Sequence, residues 1–292
     1  MPTPLPVRGL SAPPSYPCLI AMIHVAALPG TPRSKQGVAA LARQAAAEAR
    51  VLAAAGFDAI MIENMHDAPY VHGRQGPEVV AAMTAAALAV KDAAPDLPLG
   101  VQVLSGGNHE ALAIAHASGA AFIRCENFVY AHVADEGLLD RAEAGPLLRY
   151  RKLIGAERVA IWTDVKKKHA SHAITSDLTL ADCVETAAFF GADAVIVTGA
   201  ATGKPTNPGD VAEATRAAGR HLGAHGAAMT DPGQSTLIPV AVGSGATPEN
   251  LRELARAGAS AIIVGSWIKV GGVWSNAPDA ARCEAFVRSG TW

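Results

Sequence analysis

The sequence predicts a single-domain α/β protein, a (β/α)8 TIM barrel, from three observations. Four segments repeat one pattern, in which a glycine that ends a helix is followed by a β-branched strand. Four further apolar runs lie between the repeats, so eight strands alternate with about eight helices, which is typical of a parallel sheet. The length of 292 residues suits one barrel. An open doubly wound sheet is the alternative, but equivalent repeated units favour a closed ring.

Each element follows from its own local pattern. The apolar runs fit strands that are buried on both faces, and the glycines fit the left-handed position just past a helix. The repeated segments cover residues 56–64, 119–127, 191–199 and 258–266, and the other strands cover 19–24, 99–104, 159–163 and 238–242. Helices are predicted near 38–55, 109–118, 179–190, 248–257 and 278–287, with long loops at 127–144, 166–177 and 220–236. Residues 1–17 form a Pro-rich N-terminal arm, and residues 18–292 form the barrel domain.

Composition excludes several functional classes. No strongly apolar run reaches about 18 residues, so we expect no integral membrane segment, and the arm lacks the apolar region of a signal peptide. The net charge of −2 gives no basic surface for nucleic acid or anionic lipid. The four cysteines are far apart without a Cys-x-x-Cys pair, which argues against a disulfide framework or a metal cluster. We therefore expect a cytoplasmic protein.

The strand ends predict a polarised active site. In a barrel of this kind, the site lies at the carboxyl ends of the strands. The seventh residue after each repeat glycine is Glu63, Glu126, Thr198 and Gly265 in turn. The same position therefore holds a carboxylate in the first half of the chain and a small residue in the second half. One side of the site would handle protons or a metal, and the other side would bind a phosphate.

Glycines at the ends of the late strands predict the phosphate site. Glycine leaves its backbone N–H groups uncovered by a Cβ, so an anion can approach them closely. In (β/α)8 barrels, the loops after strands seven and eight often supply such a site. The predicted phosphate-binding residues are Thr198, Gly199, Gly243, Ser244, Gly245, Gly265 and Ser266. Alternatively, these glycines only permit tight turns.

Polar residues at the other strand ends predict acid–base chemistry. The catalytic candidates are His24, Glu63, Glu126, Asp164, Lys168 and His169. The candidates for orienting a substrate are Asn64, Gln102, Arg124 and Asn127. The alternative for each is structural: an ion network, a hydrogen-bonded histidine, a turn cap or a solvated loop. No cofactor is predicted, and a divalent metal between carboxylates is kept as an alternative because oxygen-rich sites are hard to recognise from sequence.

The chain resembles the BtpA family from Leu19 to about Asp279. The resemblance is carried by residues 22–32, 56–64, 145–151, 197–203 and 242–250, together with Asp164 and residues 168–170. It implies a TIM barrel and, through the family name, an association with photosystem I biogenesis, but it implies no particular reaction. Residues 105–108 and 126–128 depart from the common pattern of the family, which puts a substrate shared by all members in doubt.

Two functional hypotheses remain open from the sequence. The first is an enzyme of isomerase or lyase type that binds a small phosphorylated metabolite, such as a sugar phosphate or a nucleotide-like compound. In it, Lys168 would meet substrate charge or form a Schiff base. The second is a non-catalytic assembly or regulatory factor, for photosystem I or another membrane complex, built on a barrel. A homo-oligomer is compatible with either hypothesis.

Overall fold

A closed barrel of eight parallel strands forms the protein, which confirms the predicted fold. The computed structural model describes Leu10 and residues 16–199, 202–220 and 238–290. The barrel strands are β1 (Cys18–His24), β2 (Ala59–Glu63), β3 (Leu99–Gln102), β4 (Phe122–Cys125), β7 (Ala160–Asp164), β9 (Ala194–Val197), β10 (Val240–Val242) and β11 (Ala261–Val264). Neighbours around the ring follow the order β1-β11-β10-β9-β7-β4-β3-β2. Chain order is thus spatial order, as right-handed βα connections require.

Helices follow the strands and cover the outside of the barrel. They are α1 (Val38–Ala55), α2 (Pro77–Ala93), α3 (Asn108–Ser118), α4 (Ala144–Leu153), α5 (Leu180–Phe189), α6 (Pro208–Arg220), α7 (Leu251–Arg256) and α8 (Ala280–Gly290). The four repeat glycines all have positive φ, from 71° at Gly119 to 106° at Gly258. That conformation ends a helix and turns the chain into the next strand, and it is the one glycine adopts without strain.

Two apolar layers hold the fold together. The outer layer lies between strands and helices and is rich in alanine, so the helices pack closely against the sheet. The inner layer fills the barrel, where the rings of Phe122 and Trp162 stack with centroids 4.1 Å apart. The ring of Phe122 occupies the space that a Cβ on Gly100 would need. The barrel is therefore a packed core that opens only at its ends.

A small antiparallel sheet lies beside the barrel and was not predicted from the sequence. Its strands are β5 (His132–Ala134), β6 (Gly137–Leu139) and β8 (Ala170–Ser171), in the order β6-β5-β8. They occupy the two segments that the sequence had indicated as long loops. Strands of two or three residues give no readable alternation, and β8 comes from a different loop than β5 and β6. The sheet ties the loop after β4 to the loop after β7.

Two further expectations bear on the described residues. None of the helices described here combines the length and the apolar character needed to cross a bilayer. All four cysteines are buried and unpaired. Most of the predicted N-terminal arm and most of the loop 220–236 lie outside the described residues.

Candidate active site at the carboxyl ends of the strands

The mouth of the barrel, formed by the carboxyl ends of its strands, collects buried charged side chains. Arg124 of β4 reaches across to Asp164 of β7 and makes two hydrogen bonds, from Nε to Oδ2 at 2.9 Å and from Nη2 to Oδ1 at 2.8 Å. A bidentate pair of this kind is strong and fixes both groups in orientation. Its remaining nitrogen, Nη1, lies 3.5 Å from the carbonyl oxygen of Gly243. Arg124 therefore spans the mouth from β4 towards β10.

Glu126 is held by a second buried ion pair. Its Oε1 accepts a hydrogen bond from Lys167 Nζ at 2.9 Å, and its Oε2 accepts one from the N–H of Gly106 at 2.8 Å. Burial raises the pKa of Glu126, but Lys167 and the N–H of Gly106 outweigh it and hold the pKa below its usual value. Glu126 is thus a fixed carboxylate. The sequence analysis did not single out Lys167, which lies three residues after Asp164.

Glu63 and His24 lie together on β2 and β1. His24 Nδ1 donates a hydrogen bond to the carbonyl oxygen of Trp274 at 2.7 Å, so a neutral His24 presents its unprotonated Nε2 to Glu63 Oε2, 3.8 Å away. Burial and the charge of Lys269 lower the pKa of His24 to about 3. Burial raises the pKa of Glu63. Burial therefore favours the protonated form of Glu63 next to the neutral ring of His24, and Trp274, absent from the sequence-based candidates, sets the orientation of that ring.

The loop after β7 carries Lys168 into the same region. Burial, and then the charge of Arg124, lower the pKa of Lys168, against the opposing effect of Glu63. Within the described residues, no hydrogen bond or ion pair holds Lys168 Nζ. The backbone N–H of Lys168 donates to Thr198 Oγ1 at 3.0 Å, which anchors this loop to the end of β9. The next residue, His169, is exposed and its Nε2 accepts from the N–H of Thr202 at 3.0 Å, so it fastens the loop after β9.

The glycine-rich side of the mouth is only partly open to an anion. The N–H of Gly243 donates to Val197 O at 2.8 Å, and the N–H of Gly199 donates to Ser244 Oγ at 2.7 Å. These two amides are therefore engaged by the protein. The N–H groups of Ser244, Gly245, Gly265 and Ser266 have no protein acceptor in the part of the chain that the structure describes.

The loop after β9 lies directly against Gly245. A Cβ at Gly245 would collide with the carbonyl group of Lys204, and the φ of Gly245 is 65°. Ser244 fixes the approach of this loop, because its hydroxyl donates to Lys204 O at 3.3 Å. Glycine at position 245 is thus required by the approach of its own neighbouring loop, apart from any ligand.

The four substrate-orienting candidates differ in how far the protein already uses them. Arg124 is paired with Asp164, as described above. The side-chain amide of Asn64 is fully used, since it bonds Asp67 and both the N–H and the carbonyl of Leu104. Gln102 and Asn127 each retain a buried amide oxygen without a partner within the described residues. Only these two acceptors are therefore left for a ligand.

The described residues contain no group of three or more His, Cys, Asp or Glu side chains arranged around a common metal position. The carboxylates of the mouth face nitrogen cations instead: Asp164 faces Arg124, and Glu126 faces Lys167.

Comparison with solved structures shows the same fold at low sequence identity. Orotidine 5′-phosphate decarboxylase from Pyrococcus horikoshii superposes with a TM-score of 0.54 at 14% identity, covering 92% of this chain and 98% of that one. Thiamine phosphate pyrophosphorylase from Pyrococcus furiosus gives 0.53 at 12% identity, covering 94% and 95%. Both likenesses concern the barrel alone.

Sequence relatives are much closer. An uncharacterized mitochondrial protein of Caenorhabditis elegans is 40% identical over 278 residues, which is 94% of this chain and 93% of that protein. The photosystem I biogenesis protein BtpA of Synechocystis is 37% identical over 93% of this chain and 87% of its own length. The model of the BtpA family matches residues 16–291. The chain therefore belongs to the BtpA family.

Proposed function

We propose that the protein is an enzyme that binds a small phosphorylated metabolite, a sugar phosphate or a nucleotide-like compound, and transforms it by acid–base chemistry of isomerase or lyase type. One observation carries the proposal. Most of the buried charges of the mouth are paired, but Glu63 and Lys168 have no direct hydrogen-bond partner among the described residues. A catalytic group must be free to meet its substrate, whereas a structural one is already engaged.

The electrostatic surroundings of these two residues support proton transfer near neutral pH. The pKa of Glu63 is raised and the pKa of Lys168 is lowered, both chiefly by burial. Displacement in these directions lets a carboxyl group keep its proton longer and an amine lose its proton sooner. Lys168 then has two candidate roles: it neutralises substrate charge, or it attacks a carbonyl carbon to form a Schiff base.

The free backbone N–H groups at the ends of the late strands support the binding of a phosphate. Ser244, Gly245, Gly265 and Ser266 follow β10 and β11, where barrels of this class bind phosphate. Several solved structures of the same fold carry phosphorylated compounds in their names, including 3-hexulose-6-phosphate synthase. That likeness is an analogy of fold, so the proposal depends on the residues of this chain.

Thermal-shift screening against phosphorylated sugars and nucleotides, with and without divalent metal, tests the proposal. A ligand at 100 times its Kd stabilises the native state by about 2.7 kcal/mol, which is readily measured. A hit should weaken in Gly265→Ala, whose Cβ narrows the approach to the late strand ends without meeting a backbone atom. It should persist in Glu63→Gln, which removes chemistry and leaves the anion site. If no phosphorylated compound shifts the unfolding transition, the proposal fails. The screen with divalent metal shows whether a divalent ion is needed for ligand binding.

A second candidate is the assembly factor that the name of the Synechocystis relative suggests. Exposed apolar side chains away from the mouth favour it: Leu153 at the end of α4 is 81% exposed, and Phe189 and Phe190 at the end of α5 are each 45% exposed. Loss of the cellular role in Leu153→Ser and Phe190→Ser, with the role kept in Glu63→Gln, would favour assembly over catalysis. The cytoplasmic location and a homo-oligomer stay predictions.

A further inference from the structure

A second concave region, which we call the side cleft, lies next to the mouth. It is formed by residues 127–132 after β4 and residues 164–175 after β7, with Cys183 of α5 at its edge. The cleft is open to solvent and its enclosed part is small, about 20 Å3, so a ligand enters that part only with groups the size of a hydroxyl. Asp164 and Lys167 line it and direct their charged ends to Arg124 and Glu126 in the mouth. These two ion pairs separate the side cleft from the proposed reaction centre.

Two buried polar atoms of the side cleft lack a hydrogen-bond partner within the described residues. They are Asn127 Oδ1 and His132 Nε2, in side chains that are each only 5% exposed. Other polar groups of the lining are engaged: Tyr130 bonds Thr186, and Lys166 Nζ donates to Leu178 O at 2.6 Å. Buried polar atoms are almost always satisfied, so two orphans in one cleft indicate a missing partner.

The backbone around the side cleft is also unusual. Four non-glycine residues in the described chain have φ in the left-handed region, and they are Asn127, Tyr130, Lys166 and His169. All four belong to the two loops that form the cleft, and three of them line it. Backbone in this region is costly for a residue with a Cβ, and such strain concentrates where a site must be held in shape. The cleft is thus built by strained backbone and retains unmet polar atoms.

The chemistry of the orphan atoms defines what they bind. Asn127 Nδ2 donates to Arg141 O at 2.6 Å, which fixes the amide so that Oδ1 is left as a pure acceptor. A ligand must therefore donate a hydrogen bond, which excludes phosphate and carboxylate oxygens at this point. An ammonium group would face the positive charges of Lys166 and Lys167. Burial lowers the pKa of His132 to about 4, so its neutral ring can donate or accept through Nε2, depending on the tautomer.

We propose that the side cleft binds a small polyol or sugar through its hydroxyl groups, which donate to Asn127 Oδ1 and pair with His132 Nε2. A hydroxyl group is both a donor and an acceptor, so it satisfies either atom, whichever tautomer His132 adopts. His172 supports the arrangement, because its ring lies 5.5 Å from that of His132 and its Nε2 donates to Lys167 O at 3.1 Å. The inference goes beyond the proposed reaction and does not depend on it.

Side-chain 15N NMR of histidine-labelled protein, titrated with xylitol, tests the proposal on the unmodified chain. The His132 signals, assigned by their absence in His132→Phe, should shift with saturation. Binding of xylitol should weaken about tenfold or more in Asn127→Gly, which tolerates the φ of 55° but removes the acceptor. The matched control His116→Phe, on α3 and outside the lining of the cleft, should leave the affinity unchanged.

Titrations with ribose 5-phosphate and with inorganic phosphate show whether the hydroxyl group comes from a phosphorylated ligand or from a separate polyol. They also test the side cleft independently of the proposed phosphate site. If ribose 5-phosphate also shifts His132, and its affinity falls in Asn127→Gly, the hydroxyl belongs to a phosphorylated ligand that reaches from the mouth. If xylitol alone does so, the cleft binds a separate polyol. Inorganic phosphate reports on the glycine-rich side independently. Unchanged His132 signals up to the solubility limit of xylitol, or a soaked crystal with only an ordered water between Asn127 and His132, would overturn the inference.

Discussion

The two sides of the barrel mouth differ in the groups that form their surface. On the side of β1, β2, β4 and β7, buried charges neutralise one another, and function depends on which of them stay unpaired. On the side of β9, β10 and β11, backbone N–H groups form the surface, and function depends on which of them the protein leaves unused. Side chains can be removed one at a time, whereas an amide can be blocked only by changing the residue that carries it. We therefore expect a single side-chain substitution on the first side to abolish turnover. A substitution at a glycine on the second side should weaken ligand affinity by degrees.

The largest expected effect is that of Glu63→Gln on turnover. With a substrate found by the screen, we expect kcat to fall by about 10²- to 10⁴-fold, because Gln keeps the shape of Glu63 but transfers no proton. The folded-state pKa of Glu63 is raised, so its contribution to stability is lost as pH rises from the unfolded pKa towards the folded one. Glu63→Gln should therefore be at least as stable as the parent at pH 7. Normal turnover in a folded variant would remove Glu63 from the mechanism.

The next largest effect concerns stability on the same side. Asp164→Asn leaves the buried Arg124 without its counter-charge, and we expect a loss of about 3–5 kcal/mol in the free energy of unfolding by urea. The exposed pair Lys152–Glu157, 2.7 Å apart, is the matched control, and Glu157→Gln should leave the unfolding midpoint unchanged. Equal midpoints for the two variants would show that the pair in the mouth is dispensable. Asp164 would then be a candidate for proton transfer again.

Lys168→Met separates the two roles proposed for this lysine. We expect kcat/KM to fall by about 10²-fold, through KM if Lys168 binds charge and through kcat if it forms a Schiff base. In the second case, borohydride should trap a covalent adduct in the parent and none in the variant. Lys166→Met is the control, because Lys166 Nζ is held by the carbonyl of Leu178. Equal losses in both variants would mean that the loop as a whole is disturbed.

The smallest of these effects is a change in the pH dependence of stability. The pKa of His24 is lowered to about 3, whereas an unfolded histidine titrates near 6.5. Between these values, only the unfolded chain takes up the proton, so the stability contributed by His24 is present above about pH 6.5 and is lost as pH falls. His24→Gln should reduce the slope by about one proton, or about 1.4 kcal/mol per pH unit. An unchanged slope would contradict the buried neutral state of His24.

The sequence predicted the fold and the strand ends that form its mouth, but not the pairing of side chains there. Repeated glycines and continuous apolar runs are local signals, so the barrel and its strand ends could be inferred. The partners of the buried side chains could not be inferred, because the contacting residues are far apart in the chain. Lys167 contacts Glu126, 41 positions away, and His24 contacts Trp274, 250 positions away. Those contacts depend on how loops fold over the mouth. The small sheet beside the barrel escaped prediction for the same reason.

The predicted phosphate site illustrates the limit most clearly. The sequence offered every strand-end glycine as equivalent, since composition cannot tell which amide is used. The structure separates Gly243 and Gly199, whose N–H groups are bonded to the protein, from Gly245 and Gly265, whose N–H groups have no acceptor among the described residues. It also shows that Gly245 meets the loop at Lys204, which Gly245→Val would have to displace. Alanine carries the same Cβ, so Gly265→Ala, whose Cβ would lie 3.3 Å from the ring of His24 and meet no backbone atom, is the better test.

The proposal that the mouth combines an anion site at the late strand ends with Glu63 and Lys168 is tested most directly by a crystal structure of the protein soaked with inorganic phosphate. We expect a phosphate whose oxygens lie within about 3 Å of the backbone nitrogens of Gly245 and Gly265, as hydrogen bonds require. The same soak of Gly265→Ala should show reduced occupancy there. If saturating phosphate gives no electron density at these amides, and the N–H of Gly245 is bonded to a protein carbonyl, the mouth has no anion site there.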